Sequence, residues 1–147
     1  MNVMPPPNNY RYPDISVGMK ISHDYAITLA VYENFLAAFQ DHSPVHVDET
    51  YARQSGFDGQ VMHGAILNGF LSHFVGMIFP GKPSLLLAVD LRFSQPSFLN
   101  DALQLEAAVS QKLDSQNVIV LDFTFKNLTR NTIAARGRAQ IKLRNEP

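Results

Sequence analysis

Four titratable side chains are concentrated in one short segment of the chain: Asp41, His42, His46 and Asp48. Asp41 and His46 lie five positions apart, and Pro44 stiffens the backbone between them. This spacing allows a carboxylate and an imidazole to hold one water molecule from two sides. Because a carboxylate accepts a proton readily and imidazole exchanges one near neutral pH, the segment predicts general acid–base chemistry.

A second chemical feature lies downstream, where His63 and Gly64 precede a long apolar segment that predicts a buried helix. The first N–H groups of a helix have no intrahelical acceptors and lie at the positive end of its dipole, so they suit a developing oxyanion. Glycine at position 64 lets a ligand carbonyl approach the backbone closely. An acid–base pair, an oxyanion donor and apolar surroundings together predict enolate chemistry next to a carbonyl group.

Other chemistries fit these residues less well. The chain has no cysteine, which excludes thiolate nucleophiles, disulfides and zinc sites that need sulfur. Asp41, His42, His46, Asp48 and His63 are possible metal ligands, but Pro44 removes the helical geometry that would direct the two loop histidines to one ion. We therefore expect no metal. Ser43 precedes a proline and no G-x-S-x-G motif occurs, which argues against a serine hydrolase.

Two helices and a loop are predicted to position the first segment. Thr28 is a plausible N-cap for a helix over residues 29–40, whose apolar side chains fall on one face. Residues 41–47 are predicted as a loop because Pro44 cannot continue that helix. Asp48 caps a short helix to about residue 54. A third helix, residues 64–78, is apolar nearly all round and is predicted to be buried.

Alternating patterns replace the helical ones in the rest of the chain. Apolar residues recur at every second position in residues 103–110, 119–125 and 132–143, with short turns between them. Earlier strands are predicted at residues 19–27 and 84–93. The fold class is therefore α+β: about five antiparallel strands that bend around one central helix.

Length and composition indicate one domain, residues 17–147, preceded by a proline-rich arm, residues 1–16, that is predicted to be extended. No secretory signal or membrane-spanning run is present, so we expect a cytoplasmic protein. The net charge of −1 gives no overall attraction to nucleic acid or to a membrane. Six basic residues nevertheless lie between Lys126 and Arg144 with no acidic residue among them, and we expect this basic part to meet phosphates of a substrate carrier.

These residues resemble a known family. The motif Phe39-Gln40-Asp41-His42-Ser43-Pro44-Val45-His46-Val47-Asp48, followed by Tyr51-Ala52, Gly56-Phe57 and Val61-Met62-His63-Gly64, resembles the hydratase-2 motif of (R)-specific enoyl-CoA hydratases, the MaoC-like dehydratase domains. The similarity runs from about residue 17 to residue 143. It implies a hot-dog fold, in which a long central helix is wrapped by a curved antiparallel sheet, and a homodimer or a dimer-based oligomer.

The resemblance also implies a reaction and a set of site residues. The reaction is hydration of trans-2-enoyl thioesters to (R)-3-hydroxyacyl thioesters and the reverse dehydration, without a cofactor, on coenzyme A or acyl carrier protein. Asp41 and His46 would hold the catalytic water, and Gly64 would donate to the thioester oxygen. His63, Ser43 and Ser72 would bind substrate or support the pair. The family often has asparagine at the position of Ser43.

Two alternatives remain open at this stage. A hot-dog thioesterase would use a similar fold and ligand but would hydrolyse the thioester, so it would release free coenzyme A from a saturated acyl-CoA. A non-catalytic acyl-CoA binding module would bind the same ligands without turnover, and Ser43 is the residue that favours it.

Overall fold

Five antiparallel strands form one sheet in the computed structural model, which describes residues 3–145. The strands are β1 (Lys20–Ala26), β2 (Ser84–Phe93), β3 (Ala102–Leu113), β4 (Val118–Asn127) and β5 (Thr132–Leu143). Their order across the sheet is β1-β3-β4-β5-β2, so β1 and β2 are the two edges. All neighbours pair antiparallel, as the alternating patterns predict.

The inner face of the sheet is the face on which the apolar residues recur. On β3 the side chains of Leu103, Leu105, Ala107 and Val109 are buried, and the residues between them are not. Because successive side chains of a strand point to opposite faces, this pattern selects one pairing register and one core side. The predicted α+β fold with about five strands is therefore confirmed.

The central helix packs on that inner face. It consists of α4 (Ala65–His73), which continues into one π-helical turn, Phe74–Ile78. Its buried residues are Ile66, Leu67, Leu71, Phe74 and Val75. Asn68, Gly69, Ser72 and His73 on the other side are exposed, so the prediction of a helix buried on every side is wrong for the single chain. A single sheet covers only one side of the helix, which leaves the opposite side open.

Three further helices connect β1 to the central helix: α1 (Leu29–Phe39), α2 (Pro44–Val47) and α3 (Glu49–Gln54). Thr28 and Asp48 are N-caps of α1 and α3, as predicted, since each side chain accepts a backbone N–H. The predicted loop over residues 41–47 is wrong in its second half, where α2 makes one helical turn. Pro44 ends the preceding segment but also fits the first position of a helix, where no N–H is needed. No helix within residues 3–145 is long and apolar enough to cross a membrane.

The proline-rich arm lies against the C-terminal end of the central helix. Asn8 N donates to Met77 O at 2.9 Å, and Lys82 N donates to Asn8 O at 2.8 Å. Tyr10 packs edge-on against the buried ring of Phe79, with centroids 5.0 Å apart. Gly81 has a φ of 87°, and a Cβ there would lie 1.9 Å from Asn8 O, so only glycine permits this contact. The arm is thus held at a defined place on the fold.

Candidate active site

The segment that joins α1 to α2 holds the predicted carboxylate and imidazole. Gln40 ends α1 in the left-handed region, with a φ of 57°, and turns the chain so that Asp41 follows outside the helix. Ser43 N donates to Asp41 Oδ1 at 3.1 Å, which fixes the carboxylate across the start of α2. His46 lies on α2, and its Nε2 is 3.9 Å from Asp41 Oδ2. This distance is too long for a direct hydrogen bond, but one water about 2.8 Å from each atom can bridge it.

The protonation of His46 follows from its other nitrogen. His46 Nδ1 is 2.7 Å from Val61 O. Because a carbonyl oxygen only accepts, Nδ1 carries the proton in the neutral ring and Nε2 offers a lone pair towards Asp41. Tyr32 Oη donates to His46 O at 2.8 Å and secures the backbone of this turn. Burial raises the pKa of Tyr32, so its hydroxyl stays a donor.

The two members of the pair differ in exposure. The His46 side chain is 18% exposed, whereas that of Asp41 is 51% exposed. The imidazole lines the wall of a cavity, and the carboxylate lies beside the imidazole, open to solvent. A base in an apolar wall beside a solvated carboxylate can take a proton from a water and exchange it outward.

His63 supports both members of the pair. Its ring is 3% exposed and lies 4.1 Å from the ring of His46, centroid to centroid, with Phe35 on another side at 4.7 Å. His63 Nε2 donates to Asp41 O at 2.9 Å, so its Nδ1 is the unprotonated nitrogen. Among the described residues, Nδ1 has no hydrogen-bond partner although it is buried. His63 thus holds the backbone of Asp41 and the face of His46 in one arrangement.

Gly64 immediately precedes α4 and lines the same cavity. A Cβ at this position would lie 2.9 Å from two carbon atoms of the Phe93 ring. The sequence analysis explained this glycine by the approach of a ligand, and the structure adds a packing reason. Its N–H lies at the positive end of the helix, where an oxyanion is stabilised.

The cavity has a volume of about 340 Å³ and a mostly apolar lining. Its walls come from Ile27, from His46, from residues 61–65 and 67, and from residues 93–97 after β2. Met62 N donates to Ser97 O at 2.9 Å, which joins the two segments. Ser97 Oγ is buried without a partner among the described residues. The cavity can receive an apolar chain next to a carboxylate, an imidazole and a free backbone N–H.

Not every predicted site residue comes to this cavity. Asp41, His46, His63 and Gly64 lie together. Ser43 is exposed and takes part through its backbone N–H. Ser72 lies two turns along α4 on the exposed side of the central helix, and it does not line the cavity of its own chain. Its supporting role stays a prediction.

A group that could hold a metal ion coincides with the pair. Asp41, His46 and His63 offer ligand atoms within 4.8 Å of one another. The rings of His46 and His63 are tilted by 32° to each other, with their centroids 4.1 Å apart. The expectation that no metal takes part stays a prediction.

One positioning network was missed by the sequence analysis. Arg130, in the turn between β4 and β5, donates through Nε to Asp101 Oδ2 at 3.0 Å and through Nη1 to Asp58 Oδ2 at 3.1 Å. Asp101 is buried and also accepts from Phe98 N at 2.9 Å. Arg130 also lies 3.8 Å above the Phe98 ring. It therefore ties the segment before His63 to the segment after β2, and no local pattern marks a contact between residues 72 positions apart.

Half of the six basic residues from Lys126 to Arg144 are paired with carboxylates. Lys126 contacts Glu106, Arg130 contacts Asp58 and Asp101, and Arg138 contacts Asp122. Neighbouring strands supply two of these four carboxylates, Glu106 and Asp122. Within the described residues, Arg136, Lys142 and Arg144 have no carboxylate partner, and the expectation that this part meets phosphates stays a prediction.

Comparisons with known proteins agree with this geometry. The family model described as "MaoC like domain" matches residues 14–130. The chain is 28% identical over 130 residues to an (R)-specific enoyl-CoA hydratase of Aeromonas caviae, which covers 88% of this chain and 96% of that protein.

Solved structures give the same result. An unliganded R-hydratase of Pseudomonas aeruginosa superposes with a TM-score of 0.85 at 28% identity, over 94% of this chain and 88% of that one. The (R)-hydratase of A. caviae superposes with a TM-score of 0.81 at 27% identity, over 88% of this chain and 97% of that one.

Proposed function

The chain belongs to the MaoC-like domain family, and from this premise we propose that it is an (R)-specific enoyl-CoA hydratase, a hydro-lyase. It adds water to trans-2-enoyl thioesters to form (R)-3-hydroxyacyl thioesters and catalyses the reverse dehydration. One observation carries the proposal: His46 Nε2 and Asp41 Oδ2 lie 3.9 Å apart at an apolar cavity that Gly64 also lines. The names of the relatives, (R)-specific enoyl-CoA hydratase and 3-hydroxybutyryl-CoA dehydratase, support it.

The mechanism follows from the protonation of the pair. A water between His46 Nε2 and Asp41 Oδ2 gives one proton to the pair while its oxygen bonds to the β carbon of the enoyl group. The π electrons of the double bond move towards the thioester oxygen, and the N–H of Gly64 stabilises the enolate that forms. The α carbon then takes one proton from the pair, which returns to its starting state. Both groups arrive from the side of the bound water, so the addition is syn.

The substrate carrier is coenzyme A or an acyl carrier protein, and the chemistry uses no cofactor. The acyl chain enters the apolar part of the cavity between Leu67 and Ile27. The half-exposed carboxylate of Asp41 lies beside His46, so solvent supplies the water to this pair.

We further propose that the active unit is a homodimer that pairs two β2 edges. β2 hydrogen-bonds only to β5 among the described strands, and its Leu85 and Leu87 are about half exposed. The other edge, β1, carries Lys20, His23 and Asp24, whereas β2 has no charged residue from Ser84 to Val89 and carries Asp90 and Arg92 only near its end. Charged side chains on an edge discourage pairing with another chain, so the uncharged part of β2 is the edge that fits self-association. Sedimentation of the wild type against a Leu87→Lys variant tests this, and an unchanged monomeric mass in both contradicts it.

A spectroscopic assay tests the activity. Purified protein with crotonyl-CoA should remove the enoyl absorbance and form the 3-hydroxy product, which an (R)-specific dehydrogenase oxidises. Asp41→Asn and His46→Gln should abolish the loss of absorbance. His42→Gln is the matched control, because His42 is an exposed histidine of the same segment whose side chain hydrogen-bonds, within residues 3–145, to Gln40 alone.

The same assay separates the alternatives. A thioesterase would release free thiol from saturated butyryl-CoA, and a binding module would retain crotonyl-CoA without converting it. Either result, or full activity in both Asp41→Asn and His46→Gln, contradicts the proposal.

A further inference from the structure

We propose that a cleft at the arm end of the molecule is a binding site for phosphate groups. The cleft lies between the N-terminal arm and the C-terminal end of β5 and has a volume of about 440 Å³. Its polar lining comes from Arg11 and Tyr12 on the arm, from Asn117, and from Arg144 and Asn145 beyond β5. The family model matches residues 14–130, so both walls that carry an arginine lie outside the matched part.

The guanidinium groups of Arg11 and Arg144 are available to bind an anionic ligand. Arg144 Nη2 donates to a backbone oxygen, Lys82 O, at 3.3 Å. Within residues 3–145, no carboxylate lies within ion-pair distance of Arg11 or Arg144. This differs from the sheet and the candidate active site, where Arg138 and Arg130 each contact a carboxylate. A guanidinium without a carboxylate keeps its donors and its charge for a ligand, and planar guanidinium groups match phosphate geometry.

Two lysines add positive charge beside the cleft. Lys112 Nζ donates to Tyr12 O at 3.0 Å and to Ile15 O at 2.6 Å, and it lies 4.1 Å from the centroid of the Tyr12 ring. Lys142 Nζ donates to Gln116 O. Carbonyl oxygens fix these ammonium groups without neutralising them.

The nearby carboxylates are occupied by other donors. Asp14 Oδ2 accepts from Arg11 N at 3.1 Å, and Asp114 Oδ1 accepts from Tyr12 Oη at 2.7 Å. Among the described residues, four cations (Arg11, Lys112, Lys142 and Arg144) thus lie near two carboxylates, and their positive charge is in excess. A cleft with fixed walls and excess positive charge attracts and holds phosphate groups.

The arm contributes a fixed wall. Backbone hydrogen bonds at Asn8 and Tyr10 attach it to Met77 O and Pro80 O, and Lys112 binds the carbonyls that follow Arg11. Arg11 therefore projects from a held segment, which lowers the entropy lost when it binds a ligand.

Two sources of phosphate fit this chemistry. One is the nucleotide part of a coenzyme A thioester, which rests on the proposed function. In the proposed dimer, two copies of β2 pair antiparallel about the middle of the strand. Pro83 of one copy then lies beside Phe93 of the other. Because Pro83 lines the cleft and Phe93 lines the cavity, the cleft of one copy approaches the cavity of its partner. The other source is a separate phosphorylated ligand that binds at the cleft alone.

Titration calorimetry with ADP and with inorganic phosphate tests the site directly. We expect the wild type to bind ADP, with affinity that falls as salt rises. The double variant R11Q/R144Q should bind it at least about tenfold more weakly, the equivalent of about 1.4 kcal/mol. Arg136→Gln is the matched control, since it removes the same charge from an exposed position on the outer face of β5. R11K/R144K keeps the charge and should retain part of the binding.

Kinetics distinguish the two sources. A raised KM for crotonyl-CoA in R11Q/R144Q, with kcat and the KM for crotonyl-pantetheine unchanged, identifies the phosphates of coenzyme A. Loss of ADP binding with both KM values unchanged identifies a separate phosphorylated ligand. Equal binding of ADP by the wild type and by R11Q/R144Q, or binding of neither ADP nor phosphate by the wild type, overturns the site. The ADP titration does not depend on turnover, so a failure of the proposed hydratase activity is seen separately.

Discussion

At both ends of the central helix, backbone carbonyls orient polar side chains, but with different consequences. At the Gly64 end, backbone carbonyls accept from His46 Nδ1 and His63 Nε2 and leave the other nitrogen of each ring unprotonated. At the arm end, backbone carbonyls accept from Lys112 and Arg144 and leave their positive charge in place. A carbonyl can orient a side chain without consuming its lone pair or its charge. The Gly64 end therefore keeps ring nitrogens that can accept a proton, and the arm end keeps a positive electrostatic potential.

The sheet between these ends shows the contrast. There Lys126 pairs with Glu106 and Arg138 pairs with Asp122, both on neighbouring strands. These two pairs match opposite charges, whereas His46, His63, Lys112 and Arg144 are each oriented by a neutral backbone carbonyl. Five changes test this difference, in order of decreasing expected effect.

The largest effect is expected at the Gly64 end. Asp41→Asn or His46→Gln should lower kcat by a factor of about 100 to 10,000, because general acid–base catalysis is lost. The free energy of unfolding should change little in Asp41→Asn, since that side chain is half exposed. A fall in kcat for His42→Gln of the same size would contradict the assignment.

Arg130 should give the largest effect on stability. Arg130→Met leaves the buried carboxylate of Asp101 without its cation, which we expect to cost about 3 kcal/mol in the free energy of unfolding. Urea denaturation measures it. Asp58→Asn removes only the exposed end of the network and should cost less than about 1 kcal/mol. Equal losses of unfolding free energy in the two variants would show that the buried contact to Asp101 contributes no more than the exposed contact to Asp58.

Gly64→Ala should cost about 1 kcal/mol, because its Cβ meets the end of the Phe93 ring and that ring, 58% exposed, has room to move aside. The double variant Gly64→Ala/Phe93→Ala removes that contact and should recover part of the loss relative to Phe93→Ala alone. Thermal or urea unfolding of all four proteins completes the cycle. Additive losses would show that the ring is not what excludes a side chain at position 64.

The paired charges of the sheet should matter less. The Arg138 guanidinium lowers the pKa of Asp122 in the folded protein. A lowered folded-state pKa adds stability above the unfolded pKa, and that stability is lost as the pH falls through the folded one. Asp122→Asn should therefore cost under about 1 kcal/mol at pH 7 and nothing in strong acid. A difference that persists at low pH would contradict the ion-pair origin.

The smallest effect is expected from metal removal. The proposed reaction uses protein groups and water and needs no ion. Dialysis against EDTA should leave kcat unchanged, with the buffer-dialysed enzyme as control. If EDTA removed the activity and zinc restored it, the group of Asp41, His46 and His63 would bind a metal ion rather than act by acid–base chemistry.

Local patterns predicted most of the fold. The strands over residues 84–93 and 132–143 and the start of α1 at Leu29 match their predicted positions closely. Alternation and N-capping act between residues close in sequence, so one chain suffices to see them. The prediction of a loop at Pro44 was wrong in part, because a proline that cannot continue one helix can still occupy the first position of the next.

Contacts between distant residues were not predictable in this way. Arg130 and Asp58 are 72 positions apart, and Lys112 and Tyr12 are 100 apart. Neither pair has a spacing or a pattern of its own. Whether one side of the central helix is exposed likewise depends on how many sheets pack against the helix. The spacing of apolar residues within the helix does not determine that number.

By itself, the sequence determined the residue types of the proposed chemistry, the alternation that selects the inner face of the sheet, and the family. The tertiary structure decided which nitrogen of His46 and of His63 carries a proton, because Val61 O and Asp41 O must first be brought to those rings. It also decided which cations keep their charge. Neutralisation requires a carboxylate within about 4 Å, and only the packed chain sets that distance.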